Sequence, residues 1–369
     1  MIFDVKVVLR LLVALVCAGA VSALATPVVK HFAKRVGAMD VPKDDRRMHT
    51  TPIPRMGGLA IFLAFFLTSL LFLKQIEPQM QAVLLGAVML VILGVFDDIY
   101  TLHAILKLVV QIGAACVVVF YGGIRIQYLT NPFGTAGAYF DLGVLAIPLT
   151  IVWIVAITNA VNFIDGLDGL ACGVSCITAI NMLVIALLVS EQNVATIMAA
   201  LAGACLGFLP YNFNPAKIFM GDTGSTFLGF MLATVSIQGL FKSYAVVSVA
   251  VPFLLLGLPI FDICFAVIRR LASGKNPMEA DRGHFHHRLI DLGFSQKQSV
   301  AIAYLLTALL GLSAVLLTSS GAGRAILLLV AVVVVGAIGF EIFFRDKTYK
   351  NQLQEETNTA AEEQNDEEN

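Results

Sequence analysis

Gly143-Val-Leu-Ala-Ile-Pro-Leu-Thr-Ile-Val-Trp-Ile-Val-Ala-Ile-Thr-Asn159-Ala-Val-Asn162-Phe-Ile-Asp165-Gly-Leu-Asp168-Gly169 decides the fold. It opens as an apolar run of the kind that crosses a bilayer, which needs about 20 residues. It ends in four polar side chains spaced every third residue, on one face of a helical turn. Gly166 and Gly169 then let the backbone open and approach a ligand closely. Helix capping alone does not call for so many polar groups. Carboxylates are costly in lipid and persist there mainly for function.

Ten further apolar runs repeat the pattern, starting near Val5, Met56, Gln81, Ala104, Gly169, Val194, Ser225, Tyr244, Ser299 and Ala325. The chain of 369 residues is 58% hydrophobic and 13% charged, against roughly 25% charged in a soluble domain. The expected fold is therefore all-α and polytopic, with about eleven transmembrane helices. Residues 1–345 form a single transmembrane catalytic domain in this reading. The Glu/Asn/Gln-rich segment 346–369 reads as a disordered acidic tail. Ile124-Arg-Ile-Gln-Tyr128 alternates and suits a short hairpin strand. The six cysteines lie in apolar stretches without a CxxC pair and read as small buried hydrophobes.

Basic residues set the orientation. With the N-terminus outside, about 18 of the 24 Lys and Arg fall in inside segments. The C-terminus and every polar motif are then cytoplasmic. Lys6, Arg10 and Ala23-Leu-Ala25 resemble a cleavable signal peptide, but cleavage would reverse the charge bias. No basic stripe with interleaved aromatics points to nucleic acid.

Further motifs share that inside face. Asp97-Asp98 ends the third span. Adjacent carboxylates repel unless a cation sits beside them, and Mg²⁺ takes one or two carboxylates plus phosphate oxygens. A solvated helix end is the plain alternative. Lys107 and Gln111 share a face of the fourth span, and Lys107 reads as a snorkelling anchor or as a phosphate-binding cation. Asn212, Phe219 and Asp222 lie in a loop that leads into Ser225, where a helix start suits phosphate; a simple N-cap explains Asp222 or Ser225 as well. Phe219 suits base stacking or interfacial anchoring. His284-Phe-His286-His287 is compatible with Zn²⁺. Its flanking Arg282 and Arg288 favour an anionic ligand such as diphosphate, while a solvated basic loop is the bland reading. The basic segment from Asp40 to Gly58, with Arg55, suits a lipid phosphate.

Asn-x-x-Asn-x-x-Asp-Gly-Leu-Asp-Gly-Leu, Phe-Met-Gly-Asp-Thr-Gly-Ser and Arg-Arg-x-His-x-x-Pro-Ile-Pro-Arg-x-Gly-Gly occur together between about Ala25 and Phe294. In order and spacing they resemble the polyprenyl-phosphate N-acetylhexosamine-1-phosphate transferase superfamily, in the WecA/TagO branch of the MraY-like glycosyltransferase 4 family. The resemblance implies transfer of N-acetylglucosamine-1-phosphate from UDP-N-acetylglucosamine to undecaprenyl phosphate, releasing UMP. This is the first lipid-linked step of an envelope glycan such as teichoic acid or O-antigen. It implies Mg²⁺ (or Mn²⁺), with Asp222 as first ligand and Asp98 assisting the metal or acting as nucleophile in a two-step route. Asp97 would deprotonate or orient the lipid phosphate. Asn159, Asn162, Asp165, Asp168, Asn212 and Phe219 would hold the nucleotide-sugar. Lys107, Arg55, His284, His286 and His287 would bind phosphates. The implied location is the bacterial plasma membrane, with the site on the cytoplasmic face. The rivals are an MraY-like donor carrying a muramoyl-pentapeptide and, from another class, a membrane transporter. The sequence does not decide between a monomer and a homodimer.

Overall fold

The computed structural model describes residues 4–41, 51–130, 139–240, 250–272, 274, 283–319, 330–331 and 333–338. Helix α1 (Val5–Arg35) begins at Asp4, whose side chain accepts from Lys6 N at 2.9 Å, and ends on Lys34 and Arg35. Both ends suit the helix dipole. After a two-residue ladder of β1 (Met39–Asp40) and β2 (Ile53–Pro54) come α2 (Gly58–Phe72) and α3 (Pro78–Tyr100). Proline stands at the start of α3, where its missing N–H does no harm. Helix α4 (Ala104–Cys116) runs on as a π turn through Tyr121.

A hairpin of β3 (Tyr128–Thr130) and β4 (Tyr139–Asp141) precedes α5 (Ala146–Phe163). The expected strand at 124–128 thus begins only at its last residue. Ile126 N donates to Thr150 Oγ1 at 2.9 Å instead of to a ladder partner. Helices α6 (Leu170–Leu188), α7 (Gln192–Asn212), α8 (Gly221–Val235), α9 (Ala250–Leu255), α10 (Gly257–Ala272), α11 (Phe285–Asp291) and α12 (Gln296–Ser319) follow.

Among the described residues, seven helical segments are long and apolar enough to cross a membrane: α1, α3, Ala104–Tyr121, Gly143–Phe163, α6, α7 and α12. The protein is polytopic and helical. Helix α2 is apolar but shorter, at 15 residues. The stretch expected as one ninth span breaks at Leu256 into α9 and α10. The expected span starts at Tyr244 and Ala325, the tail 346–369, Arg46-Arg47 and Arg282 lie outside the described residues.

Helix α8 is the hub. It packs against α2, α3, α5 and α6, and nearly every one of its side chains is buried. A helix apolar on all sides belongs in such a core. Helices α1 and α7 meet where Gly203 and Gly207 lie against the Leu15 and Gly19 backbones, the close approach that small residues allow between membrane helices. Large apolar side chains such as Leu24, Leu71 and Val152 remain exposed on the outer surface. Cys172, Cys176 and Cys205 are buried, while Cys264 is exposed.

Candidate active site

One end of the bundle holds a cavity of about 590 Å³, within the range typical of small-molecule sites. Its walls come from five separated segments: the β1–β2 ladder, the turn after α5, the loop between α7 and α8, α11 and the first residue of α12. Asn162, Asp165, Asp168, Asn212, Phe219, Asp222, Arg55 and His287 all line it. The structure therefore gathers the motifs read from separate parts of the chain.

Helix α8 starts at the cavity. Gly221, its first residue, has φ +71°, and a Cβ there would overlap the Asp98 carboxylate. Asp98 fills the space that glycine leaves. Its Oδ1 accepts from Asp222 N at 3.0 Å, and its Oδ2 accepts from Thr223 N at 3.2 Å and Thr223 Oγ1 at 2.6 Å. Both oxygens are thus committed to the free N–H groups of a helix start. Arg55 Nε lies 3.9 Å from Oδ1. Asp98 is buried behind the helix start, and Asp222 faces the cavity.

Lys107 joins the remaining carboxylates. Its Nζ lies 3.0 Å from Asp97 Oδ2 and 2.9 Å from Asp222 Oδ2. Asp97 Oδ1 also accepts from Leu102 N at 2.7 Å. Asn162 Nδ2 reaches Ser225 Oγ at 2.7 Å and Asp222 Oδ1 at 3.3 Å. Asn159 lies one turn back from the cavity and pairs with Gln111, the two amides exchanging bonds of 2.6 and 3.4 Å. This pair ties α4 to α5 beside Lys107. Asn159 itself does not line the cavity.

Asp165 is partly covered. Burial first, then the negative charges of Asp222 and Asp98, push its carboxyl up to about 8. Asp168 Oδ2 accepts from Asn214 Nδ2 and Ala216 N, each at 3.0 Å, and so braces the α7–α8 loop. Asn212 Nδ2 donates to Ile218 O at 3.0 Å in the same loop. The loop is also strapped to the start of α2. Gly57 N and Gly58 N donate to Phe219 O and Met220 O at 2.9 and 2.8 Å, and Phe219 N donates to Pro54 O at 2.8 Å. The Pro-Arg-Met-Gly-Gly motif is therefore a backbone clamp that also offers Arg55 to the cavity.

The three histidines occupy different places. His287 lines the cavity. His286 is buried against Gly166, where a Cβ would collide with its ring. Burial above all, then the neighbouring His287, pulls His286 down to about 3, so it is neutral. His284 Nδ1 lies 2.9 Å from Asp262 Oδ2, on α10. Asn214, Gln296 and Asp262 escaped the sequence reading. Asn214 carried a signal, an asparagine beside Pro215 in a polar loop. Asp262 carried another, one carboxylate inside an apolar run.

The oxygen-rich donor set suits a hard cation. Among the described residues no three His, Cys, Asp or Glu side chains converge as a metal cluster. An Mg²⁺ site built on one carboxylate and a ligand's phosphates needs no such cluster. Asp222, at a cavity-facing helix start and already beside a cation, fits that kind of site.

The Glycosyl transferase family 4 model matches residues 80–240. The chain is 42% identical over 313 residues to a probable undecaprenyl-phosphate N-acetylglucosaminyl 1-phosphate transferase of Bacillus subtilis, covering 85% of this chain and 86% of that one. It is 39% identical over 317 residues to the decaprenyl-phosphate N-acetylglucosaminephosphotransferase of Mycobacterium tuberculosis, covering 78% of each. It is 28% identical over 285 residues to the undecaprenyl-phosphate alpha-N-acetylglucosaminyl 1-phosphate transferase of Escherichia coli O157:H7, covering 76% of this chain and 77% of that one.

Proposed function

Because the chain belongs to glycosyl transferase family 4, in its branch of polyprenyl-phosphate N-acetylglucosamine-1-phosphate transferases, we propose that it moves N-acetylglucosamine-1-phosphate from UDP-N-acetylglucosamine to undecaprenyl phosphate. UMP is released and undecaprenyl-diphosphate-N-acetylglucosamine is formed, opening an envelope glycan such as teichoic acid or O-antigen. One observation carries the chemical part of this reading. Lys107 joins Asp97 to Asp222, and Asp222 lines a polar cavity at one end of an apolar bundle. That arrangement suits a phosphorylated head group whose tail stays in lipid.

The reaction is an in-line substitution at the donor's β-phosphorus. A lipid phosphate oxygen forms the new P–O bond, and the bond to the bridging oxygen breaks, leaving with UMP. Asp97 orients the lipid phosphate and takes its remaining proton, a modest task because a phosphate monoester's second pKa is about 6. Lys107 and Arg55 offset the charge on the reacting phosphates. Asp222 is the residue to hold Mg²⁺, which when bound would neutralise the diphosphate and polarise the phosphorus. Asn162, Asp165, Asn212 and Phe219 hold the nucleotide-sugar. Asp98, with both oxygens on the start of α8, positions Asp222 and is a poor nucleophile, so direct attack is preferred over a two-step route. In this reading the site faces the cytoplasm of a bacterial plasma membrane, an orientation that the bias of basic residues supports.

The test is UMP release by purified protein given Mg²⁺, undecaprenyl phosphate and, in parallel, UDP-N-acetylglucosamine, UDP-N-acetylgalactosamine or UDP-muramoyl-pentapeptide. Lipid-dependent UMP from the first donor, lost with EDTA, is expected. Release from the muramoyl donor alone would reassign the substrate. Silence with all three from folded protein would reopen transport.

A further inference from the structure

The His loop is held from one side by one face of α10. Asp262, Phe265 and Arg269 stand at i, i+3 and i+7 along that helix, which places them on one face. Asp262, only 2% exposed, is the deepest. Its Oδ1 accepts from Phe285 N at 2.6 Å and its Oδ2 lies 2.9 Å from His284 Nδ1. Phe265 lies under the Arg288 guanidinium, 4.6 Å from the ring centroid. Arg269 Nη1 donates to Gly283 O at 2.8 Å.

A carboxylate in an apolar helix is costly unless it is paired and hydrogen-bonded. Here one oxygen holds the backbone at the start of α11 and the other holds an imidazole. An acceptor at Nδ1 keeps a proton on that nitrogen and fixes the ring's orientation, the same means by which a carboxylate orients histidines in other sites. The fixed ring then carries a stack. His284 lies parallel to His286 with centroids 5.9 Å apart, and His286 meets His287 at 4.3 Å. His287 is the member that lines the cavity.

We propose that Asp262 is the positioning residue of the His loop: by holding Phe285 N–H and His284 Nδ1–H it sets the stack through which His287 is presented to the diphosphate of the donor. The reading of the ligand rests on the function proposed above; the reading of the dyad does not.

Two measurements test it separately. Nitrogen-15 NMR of histidine-labelled protein, with His284 assigned through His284→Gln, reports which ring nitrogen carries the proton. The expected wild-type result is Nδ1–H, with the preference lost in Asp262→Asn. This readout needs no turnover, so it stands even if the protein proves inactive with the nucleotide-sugar. In the transferase assay, Asp262→Asn is expected to raise the donor KM about 10- to 100-fold, with a smaller change in kcat. Adding Asp262→Asn to His287→Gln should then change little, because both act through one contact. An Nε2–H tautomer in the wild-type protein would overturn the proposal whether or not the variant folds. A folded Asp262→Asn with an unchanged tautomer and unchanged donor KM would also overturn it.

Discussion

Replacing Asp98 with asparagine preserves the shape of a buried side chain and changes its hydrogen-bonding. In the native site one oxygen serves Asp222 N and the other serves Thr223 N and Thr223 Oγ1. Asparagine supplies one oxygen and one NH2 group. Whichever way the amide turns, the NH2 faces a backbone N–H, and one buried donor loses its partner. That loss costs about 1–3 kcal/mol. Removing negative charge from a helix N-terminus adds about 0.3–1 kcal/mol, more in partly buried geometries. The expected loss of folding stability is therefore about 1–4 kcal/mol. Turnover should fall with it, because Asp222 takes its position from the helix start that Asp98 holds. Purified wild-type and variant proteins would be unfolded in the same detergent, and UMP release measured below the transition. An inactive Asp98→Asn as stable as wild type within about 0.5 kcal/mol would refute the reasoning. It would point instead to a chemical role for Asp98, such as the nucleophile of a two-step route.

Lys107→Met leaves Asp97 and Asp222 without their shared cation, and kcat/KM should fall about 10- to 100-fold, since the pair is only partly shielded from solvent. Lys107→Arg should retain more activity, whereas a wild-type rate in Lys107→Met would mean that Lys107 is only an interfacial anchor. Gly58→Ala places a Cβ against the Gly224 backbone and should destabilise the protein by about 1–3 kcal/mol or more; an unchanged unfolding temperature would show that α2 and α8 are not so closely joined. Asp165, pushed up to about 8, is mostly protonated at pH 7, and a cation entering the cavity should favour its charged form. Binding Mg²⁺ with UMP should then release about one proton per site at pH 7 and little at pH 9. Calorimetry in two buffers of different ionisation enthalpy reads this directly, and equal heats in both at pH 7 would contradict it.

The helical bundle was legible because apolar length is a signal carried by each segment alone. The expected starts at Val5, Ala104 and Gly143 coincide with helical starts, and residues of the motifs expected at one face line one cavity. Two things were not legible. One was the division of labour inside Asp97-Asp98. The residues are adjacent on a helix end, and which faces Lys107 and which faces α8 depends on helix rotation, set by packing with Gly221 and Thr223 over 120 residues away in the chain. The other was the role of single polar residues in apolar runs. Asp262 has no local partner, and its meaning appears only when α10 meets His284. For the same reason Asn159 looked equivalent to Asn162 by spacing, but tertiary packing turns it to Gln111. The histidines, equal in sequence, are separated by depth, and Gly166 makes room for one of them.

The central claim is that the sugar's phosphate travels with the sugar, and the position of one labelled atom tests it. UDP-N-acetylglucosamine carrying radioactive phosphorus at the β position would be incubated with purified protein, Mg²⁺ and undecaprenyl phosphate. The account predicts label in the lipid-linked diphosphate sugar and none in the released nucleotide, which should be UMP. Label retained in UDP, with sugar alone on the lipid, would contradict it.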